Sequence, residues 1–244
     1  MSGVALILGA TSDIARACAH RYGAEGYTLQ LAGRDPEALE ADAQDLRLRH
    51  RVKVSVHRFD VLEADGFAPF LDALPALPDT AICAVGFMGS QGASEKDPQA
   101  AALVMRSNYE GPALILGLLA ERMALRGHGV LIGISSVAGD RGRASNYIYG
   151  SAKAGFTAFL SGLRNRFHGT DLHVVTVKPG FVATRMTEGM DLNPRLTALP
   201  GQVAEAIWQA EKHRRDVIYV KPVWRVIMQI ISALPEFLFK RTRL

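Results

Sequence analysis

A tyrosine and a lysine four residues apart, in Tyr149-Gly150-Ser151-Ala152-Lys153, offer acid–base chemistry. On a helix, positions i and i+4 share a face, so both side chains can point into one cleft. A free tyrosine titrates near pH ~10 and is a poor proton donor and a poor base at neutrality. An ammonium beside it favours the phenolate and draws that pKa towards working range. Tyr147 competes poorly, because the residue four further on is Ser151. Ser136 follows an apolar run at 130–135, and its hydroxyl suits a hydrogen bond to a substrate carbonyl. Each residue alone has a bland reading, and a tyrosine–lysine pair at this spacing is common by chance. The combination carries the weight.

A second signal lies at the start of the chain. The apolar run 4–8 leads into Gly9-Ala10-Thr11-Ser12-Asp13-Ile14-Ala15 and then a helical pattern. A loop from strand to helix offers backbone N–H groups and the positive end of the helix dipole to an anion. Gly9 permits a tight turn. With one glycine, the loop also reads as an ordinary turn capped by Ser12 or Asp13. Arg34 follows the next apolar run. An acidic residue there would bind a free ribose 2′-hydroxyl, whereas an arginine suits a 2′-phosphate. NADP(H) is therefore favoured, with NAD(H) kept open by Asp35.

These residues need a frame. Apolar runs at 4–8, 28–32, 52–57, 81–85, 130–135, 173–177 and 217–220 predict strands. Helical patterns at 14–24, 36–49, 63–74, 98–126, 147–167 and 202–213 alternate with them. The strands show little alternation, as expected where both sheet faces are covered. The order predicts an α/β fold: one Rossmann-type, doubly wound parallel sheet of about seven strands with helices on both faces. A C-terminal amphipathic helical tail follows. The boundaries expected are a dinucleotide-binding catalytic domain at 1–221 and a helical extension at 222–244.

Composition agrees. The 244 residues are 48% hydrophobic, enough for one buried core. Cys18 and Cys83 are too few and too far apart for a disulfide framework or a metal pattern. The histidines lack paired ligand spacing on a helix, so no metal site is expected. No secretory signal is recognisable before the first strand, which predicts a cytoplasmic location. All of the net charge of +4 sits in residues 221–244, which carry five basic groups and one acidic group. The rest is neutral, so no basic patch for nucleic acid is expected.

The chain resembles the short-chain dehydrogenase/reductase family over residues 3–220. The matching pieces are residues 9–15, Asp60-Val61, Asn108, Ile134-Ser135-Ser136, Tyr149 with Lys153, and Pro179-Gly180-Phe181-Val182-Ala183-Thr184. The resemblance implies an oxidoreductase that interconverts a ketone and a secondary alcohol. It makes Tyr149 the general acid in reduction, with Lys153 tuning it and holding the nicotinamide ribose. Ser136 would orient the carbonyl and Asn108 would anchor a water of the proton relay. Gly9, Thr11, Ser12, Asp13, Ile14, Asp60, Val61, Gly86, Tyr149, Lys153, Pro179, Gly180, Val182 and Thr184 would line the cofactor, with Asp60 at the adenine and Thr184 at the nicotinamide end. Two departures stand out. Asp13 and Ala15 replace family glycines, and Cys83-Ala84-Val85-Gly86 replaces an Asn-Asn-Ala-Gly stretch. A carboxylate at 13 would repel a pyrophosphate, so Asp13 is expected to cap its own helix and face away.

A narrower resemblance is to the decaprenylphosphoryl keto-ribose reductases. It rests on residues 135–143, Asn146, Tyr149-Gly150-Ser151 and residues 181–187, besides the first loop. It implies a ketone on a lipid-linked sugar phosphate. Arg141, Arg143 and Arg185 would border the crevice and could bind an anionic group, or be solvated loop charges. A small soluble or carrier-bound carbonyl is the rival substrate. A non-catalytic dinucleotide-binding regulator is the rival from another class. The family resemblance also implies a homo-oligomer. In the tail, Arg225, Gln229, Ser232 and Glu236 form one narrow polar stripe on an otherwise apolar helix, which Pro235 should break. Three placements follow: packed on protein, a lid over an apolar substrate, or lying at the cytoplasmic face of a membrane with Lys240, Arg241 and Arg243 on anionic headgroups.

Overall fold

The computed structural model describes residues 3–242. The chain runs β1 (Val4–Leu8), α1 (Asp13–Ala24), β2 (Thr28–Gly33), α2 (Glu37–His50), β3 (Val54–Arg58), α3 (Phe67–Asp72) and β4 (Thr80–Cys83). It continues with α4 (Gln91–Ser94), α5 (Pro98–Met105), α6 (Gly111–Arg126), β5 (His128–Ile134), α7 (Tyr147–Arg166), β6 (Asp171–Pro179) and β7 (Phe181–Val182). It ends with β8 (Thr197–Ala198), α8 (Pro200–Lys212), β9 (Val217–Val220), α9 (Val223–Ala233) and α10 (Glu236–Phe239).

Seven strands form one sheet in the order β3-β2-β1-β4-β5-β6-β9. Every neighbouring pair is parallel. The strands are almost wholly buried, because helices cover both faces. One layer packs α1, α2 and α8 through Tyr22, Leu39, Ile207 and Trp208. The other packs α3, α6 and α7 through Phe67, Leu119, Phe156 and Leu160. Strand order reverses between β1 and β4, and a crevice opens beyond their C-terminal ends. The expected doubly wound sheet is thus present. Cys18 and Cys83 are buried in it, and burial pushes the two thiols up to about 12 and about 11.

Three local features differ from the sequence reading. β4 ends at Cys83, and residues 84–85 leave the sheet to cross the first loop. Gly9 there has φ +78, and a Cβ on it would lie 3.0 Å from the Val85 nitrogen. The helical stretch 98–126 is interrupted by a π turn, Arg106–Glu110, which turns Asn108 inward. β7 and β8 pair as a small second sheet beyond the end of β6.

The tail is fastened to the body along one face. Trp224 and Met228 are buried beside Val137. The Trp224 indole donates to the Leu196 carbonyl at 2.9 Å and meets the Phe181 ring edge-on at 5.4 Å. The helix breaks at Leu234 before Pro235, as expected. Arg141 holds α10, pairing with Glu236 at 2.5 Å and lying 4.3 Å from the Phe239 ring centre. The opposite face leaves Val223, Val226, Ile230, Phe237 and Leu238 exposed. Among the described residues, no helix is long and apolar enough to cross a membrane.

Gly180 is what allows this seat. A Cβ on it would lie 2.0 Å from the Trp224 ring. Gly180→Ala is therefore expected to displace α9 and cost about 1–3 kcal/mol, read as a fall in Tm. In a Trp224→Ala background the same change should cost almost nothing. An equal cost in both backgrounds would show that the clash lies elsewhere.

Candidate active site

β5 delivers the acid–base cluster. Ser136 lies just past its end, with extended backbone, and its Oγ accepts the Ala138 N–H at 3.1 Å. Tyr149 and Lys153 stand one turn apart near the start of α7. Ser135, one residue earlier, ties α7 to β5. Its hydroxyl donates to the Lys153 carbonyl at 3.0 Å and lies 2.7 Å from the Thr157 hydroxyl. The Lys153 side chain is buried, and its ammonium donates to the Ile134 carbonyl at 3.0 Å. Its Nζ lies 5.8 Å from the Tyr149 ring centre. Asn108 sits behind them. Its amide donates to the carbonyls of Phe87 at 2.5 Å and Val104 at 2.8 Å, and accepts the Phe87 N–H at 3.2 Å. A Cβ on Gly86 would lie 3.3 Å from Asn108 Oδ1 and 3.7 Å from Lys153 Nζ. The Asn108 side chain is thus spent on holding the segment that carries Gly86.

Burial moves both groups from their ordinary values. Burial pushes the Tyr149 phenol up to about 12, with the neighbouring Ser136 hydroxyl opposing the shift. Burial also brings the Lys153 ammonium down to about 8. Desolvation is the largest cause of both shifts. At neutral pH the pair is a neutral phenol beside a mostly charged lysine.

Ser136, Tyr149 and Lys153 line a cavity of about 350 Å³. Val85, Met88, Val137, Phe181, Met190 and Trp224 supply apolar walls. The three arginines fare differently. Arg143 lines the cavity, with its buried Nε lacking a partner among the described residues, as does the buried Asn146 Oδ1. Burial lowers the Arg143 pKa from its ordinary value. Arg141 is removed from the crevice by its bond to α10. Arg185 lines the rim but is bound to Asp13. Of the expected cluster of three, Arg143 alone lines the cavity with no ion pair among the described residues.

A second cavity of about 240 Å³ adjoins the first, sharing Ser12, Val85 and Gly86 with it. Gly9, Thr11, Arg34, Asp60 and Val61 line it too. Together they make a groove from Arg34 to Tyr149, with Ile14, Pro179, Gly180, Val182 and Thr184 at the Tyr149 end. Its donors fit a dinucleotide. The N-terminus of α1 faces it, and the Arg34 side chain is exposed at the far end. Asp35 does not compete there. Its carboxylate accepts the N–H groups of Glu37 at 3.1 Å and Ala38 at 3.3 Å, at the start of α2. Asp60 Oδ1 accepts the Leu62 N–H at 3.0 Å on the groove edge. Asp13 needs correction: Ser12 caps α1, accepting the Ala15 N–H at 3.2 Å, and Asp13 reaches across to Arg185.

The short chain dehydrogenase family model matches residues 3–194. The chain belongs to this family. An uncharacterized oxidoreductase of Mycobacterium tuberculosis is 36% identical over 239 residues, covering 97% of this chain and 95% of that protein. A second, from Streptomyces coelicolor, is 37% identical over 240 residues, covering 97% and 94%. A short-chain dehydrogenase from Sphingobium yanoikuyae, solved with NADPH, shares the fold with a TM-score of 0.81. It is 21% identical, with 96% of this chain and 97% of that chain covered. The protein is therefore an oxidoreductase of the short-chain dehydrogenase type.

Sequence reasoning missed Trp224 as a cavity wall. The available signal was a tryptophan opening an apolar helix directly after the last strand. It also gave Asn146 no role.

The two titrations set a pH dependence. A tyrosinate formed at Tyr149 in a reduction would need a charged Lys153 to stabilise it. The kcat/KM for a carbonyl should be level well below about 8 and fall as pH rises through it. Tyr149 stays protonated throughout, so the oxidative rate should rise with pH. Lys153→Met should lack the falling limb. A wild-type reductive profile without that limb would contradict the assignment.

Proposed function

We propose that this chain is an NADP(H)-dependent reductase that interconverts a ketone and a secondary alcohol, on a substrate with an apolar body and an anionic group. The observation that carries the reading is the convergence of Ser136, Tyr149 and Lys153 on one cavity continuous with the groove at α1. NADPH bound there would supply the hydride at its nicotinamide, and the protein supplies position and protons. Gly9, Thr11 and Ser12 would hold the pyrophosphate region, and Arg34 the 2′-phosphate. Asp60 and Val61 would flank the adenine, with Val182 and Thr184 beside the nicotinamide. Ser136 and Tyr149 would both hydrogen-bond the carbonyl oxygen. Tyr149 passes its proton to that oxygen, and Lys153 holds the resulting tyrosinate.

Arg143 and the apolar walls support the finer reading, a phosphorylated keto-sugar carried on a lipid. The test is turnover of a phosphorylated and a neutral ketone with NADPH and NADH. Arg34→Ala should cut the NADPH preference about tenfold to a hundredfold, as expected for a lost charge-assisted hydrogen bond. Arg143→Ala should cost the phosphorylated ketone about tenfold or more beyond the neutral one. Equal losses on both ketones would remove the anionic substrate, and unchanged cofactor preference would remove the role of Arg34.

The exposed apolar face of α9 and α10, flanked by Arg225, Lys240 and Arg241, supports docking on an anionic lipid surface. Truncation at 221 would remove Trp224 and Met228 from the core, so charge on the outer face is the cleaner change. Val226→Glu with Ile230→Glu should abolish co-sedimentation with phosphatidylglycerol vesicles while leaving Tm in place. Equal sedimentation of both proteins would contradict docking through this face.

A further inference from the structure

Asp13 carries a negative charge at the end of α1, where a dinucleotide pyrophosphate would lie. Left alone it would repel that group. Its carboxylate is instead engaged from the far side of the groove. Asp13 Oδ2 accepts the Arg185 backbone N–H at 2.9 Å, and Oδ1 accepts the Arg185 Nε–H at 3.2 Å. Arg185 Nη2 donates to the Thr11 carbonyl. These contacts join residues more than 170 apart in sequence, since Asp13 and Arg185 are separated by 172 positions. Thr11 and Asp13 lie within the phosphate loop, while Arg185 follows the nicotinamide-end segment that contains Thr184. Both Asp13 and Arg185 line the main cavity, so the pair bridges the rim of the groove. Arg185 is 62% exposed against 24% for Asp13, so the guanidinium keeps solvent-facing donors while the carboxylate is largely covered.

We infer that Arg185 is a positioning residue for the cofactor: it neutralises Asp13 and straps the phosphate loop to the segment carrying Thr184, making the groove tolerant of a pyrophosphate. The inference rests on the dinucleotide reading above. It explains how a carboxylate stands in a phosphate loop, and it ties the aspartate and the arginine together as one device. The two are then coupled. Removing the Arg185 side chain leaves the carboxylate's charge uncompensated, held only by the backbone N–H of residue 185, whereas removing both charges restores a neutral rim.

The test is NADPH binding by fluorescence titration to wild type, Arg185→Ala, Asp13→Asn and the double variant, with Tm measured for each. Adenosine 2′-monophosphate, which lacks the pyrophosphate, is the control ligand. Arg185→Ala should weaken NADPH binding about tenfold at low salt, and less as salt screens the carboxylate. Asp13→Asn in that background should recover most of the loss. The control ligand should bind all four proteins alike. Equal NADPH loss in Arg185→Ala and the double variant would overturn the coupling while leaving the dinucleotide reading intact. Loss of the control ligand along with NADPH would reduce Arg185 to a fold contact and overturn it too. A wild-type chain that binds the control ligand and NADPH not at all would overturn both readings.

Discussion

The burial of one ammonium sets the terms for the rest of the site. Lys153 is held in the protein interior against the Ile134 carbonyl, with its pKa brought down to about 8. A shift of that size corresponds to roughly 3 kcal/mol of penalty on the charged form. The fold sustains it by fixing α7 to the end of β5 through Ser135 and Thr157. The same contact places Tyr149 beside Ser136 and aims both into the cavity. Desolvation governs both groups and pushes them in opposite directions, the phenol up and the ammonium down. The phenol is therefore protonated at neutrality. The sequence predicts a phenol drawn down by the ammonium, because spacing shows which groups are neighbours and says nothing of how much water each has lost.

The sheet was legible because its strands are continuous Val/Ile/Leu runs, and because helical periodicity separates them at the lengths that parallel crossovers need. The cluster of Ser136, Tyr149 and Lys153 was legible because its spacing follows from one strand end and one helix turn. What escaped depends on contacts between distant segments. Arg141, Arg143 and Arg185 look alike in sequence, yet one secures the tail, one lines the cavity and one crosses to Asp13. Asp13 was expected to cap a helix that Ser12 caps instead. Asp35 left the cofactor reading open until its carboxylate was found at the start of α2. The small sheet of β7 and β8 involves two residues on each strand, too few for any pattern.

The tail packs on the body, the first of its three expected placements. Its inner face packs on the body, and through Trp224 that face also walls the cavity. Its outer face is apolar and exposed, with the net charge of the chain at its end. An oily substrate and an oily surface would meet at the same helix, so the proposed substrate class and the proposed docking draw on a single structural element.

The central claim is that carbonyl reduction occurs at Tyr149 with hydride delivered along the groove. Its most direct measurement is isotope transfer from NADPH carrying deuterium at nicotinamide C4, followed by mass spectrometry of the product alcohol. The account predicts deuterium on the carbinol carbon with the wild-type protein, and near-complete loss of labelled product with Tyr149→Phe at unchanged NADPH affinity. Labelled product formed at the wild-type rate by Tyr149→Phe would contradict it.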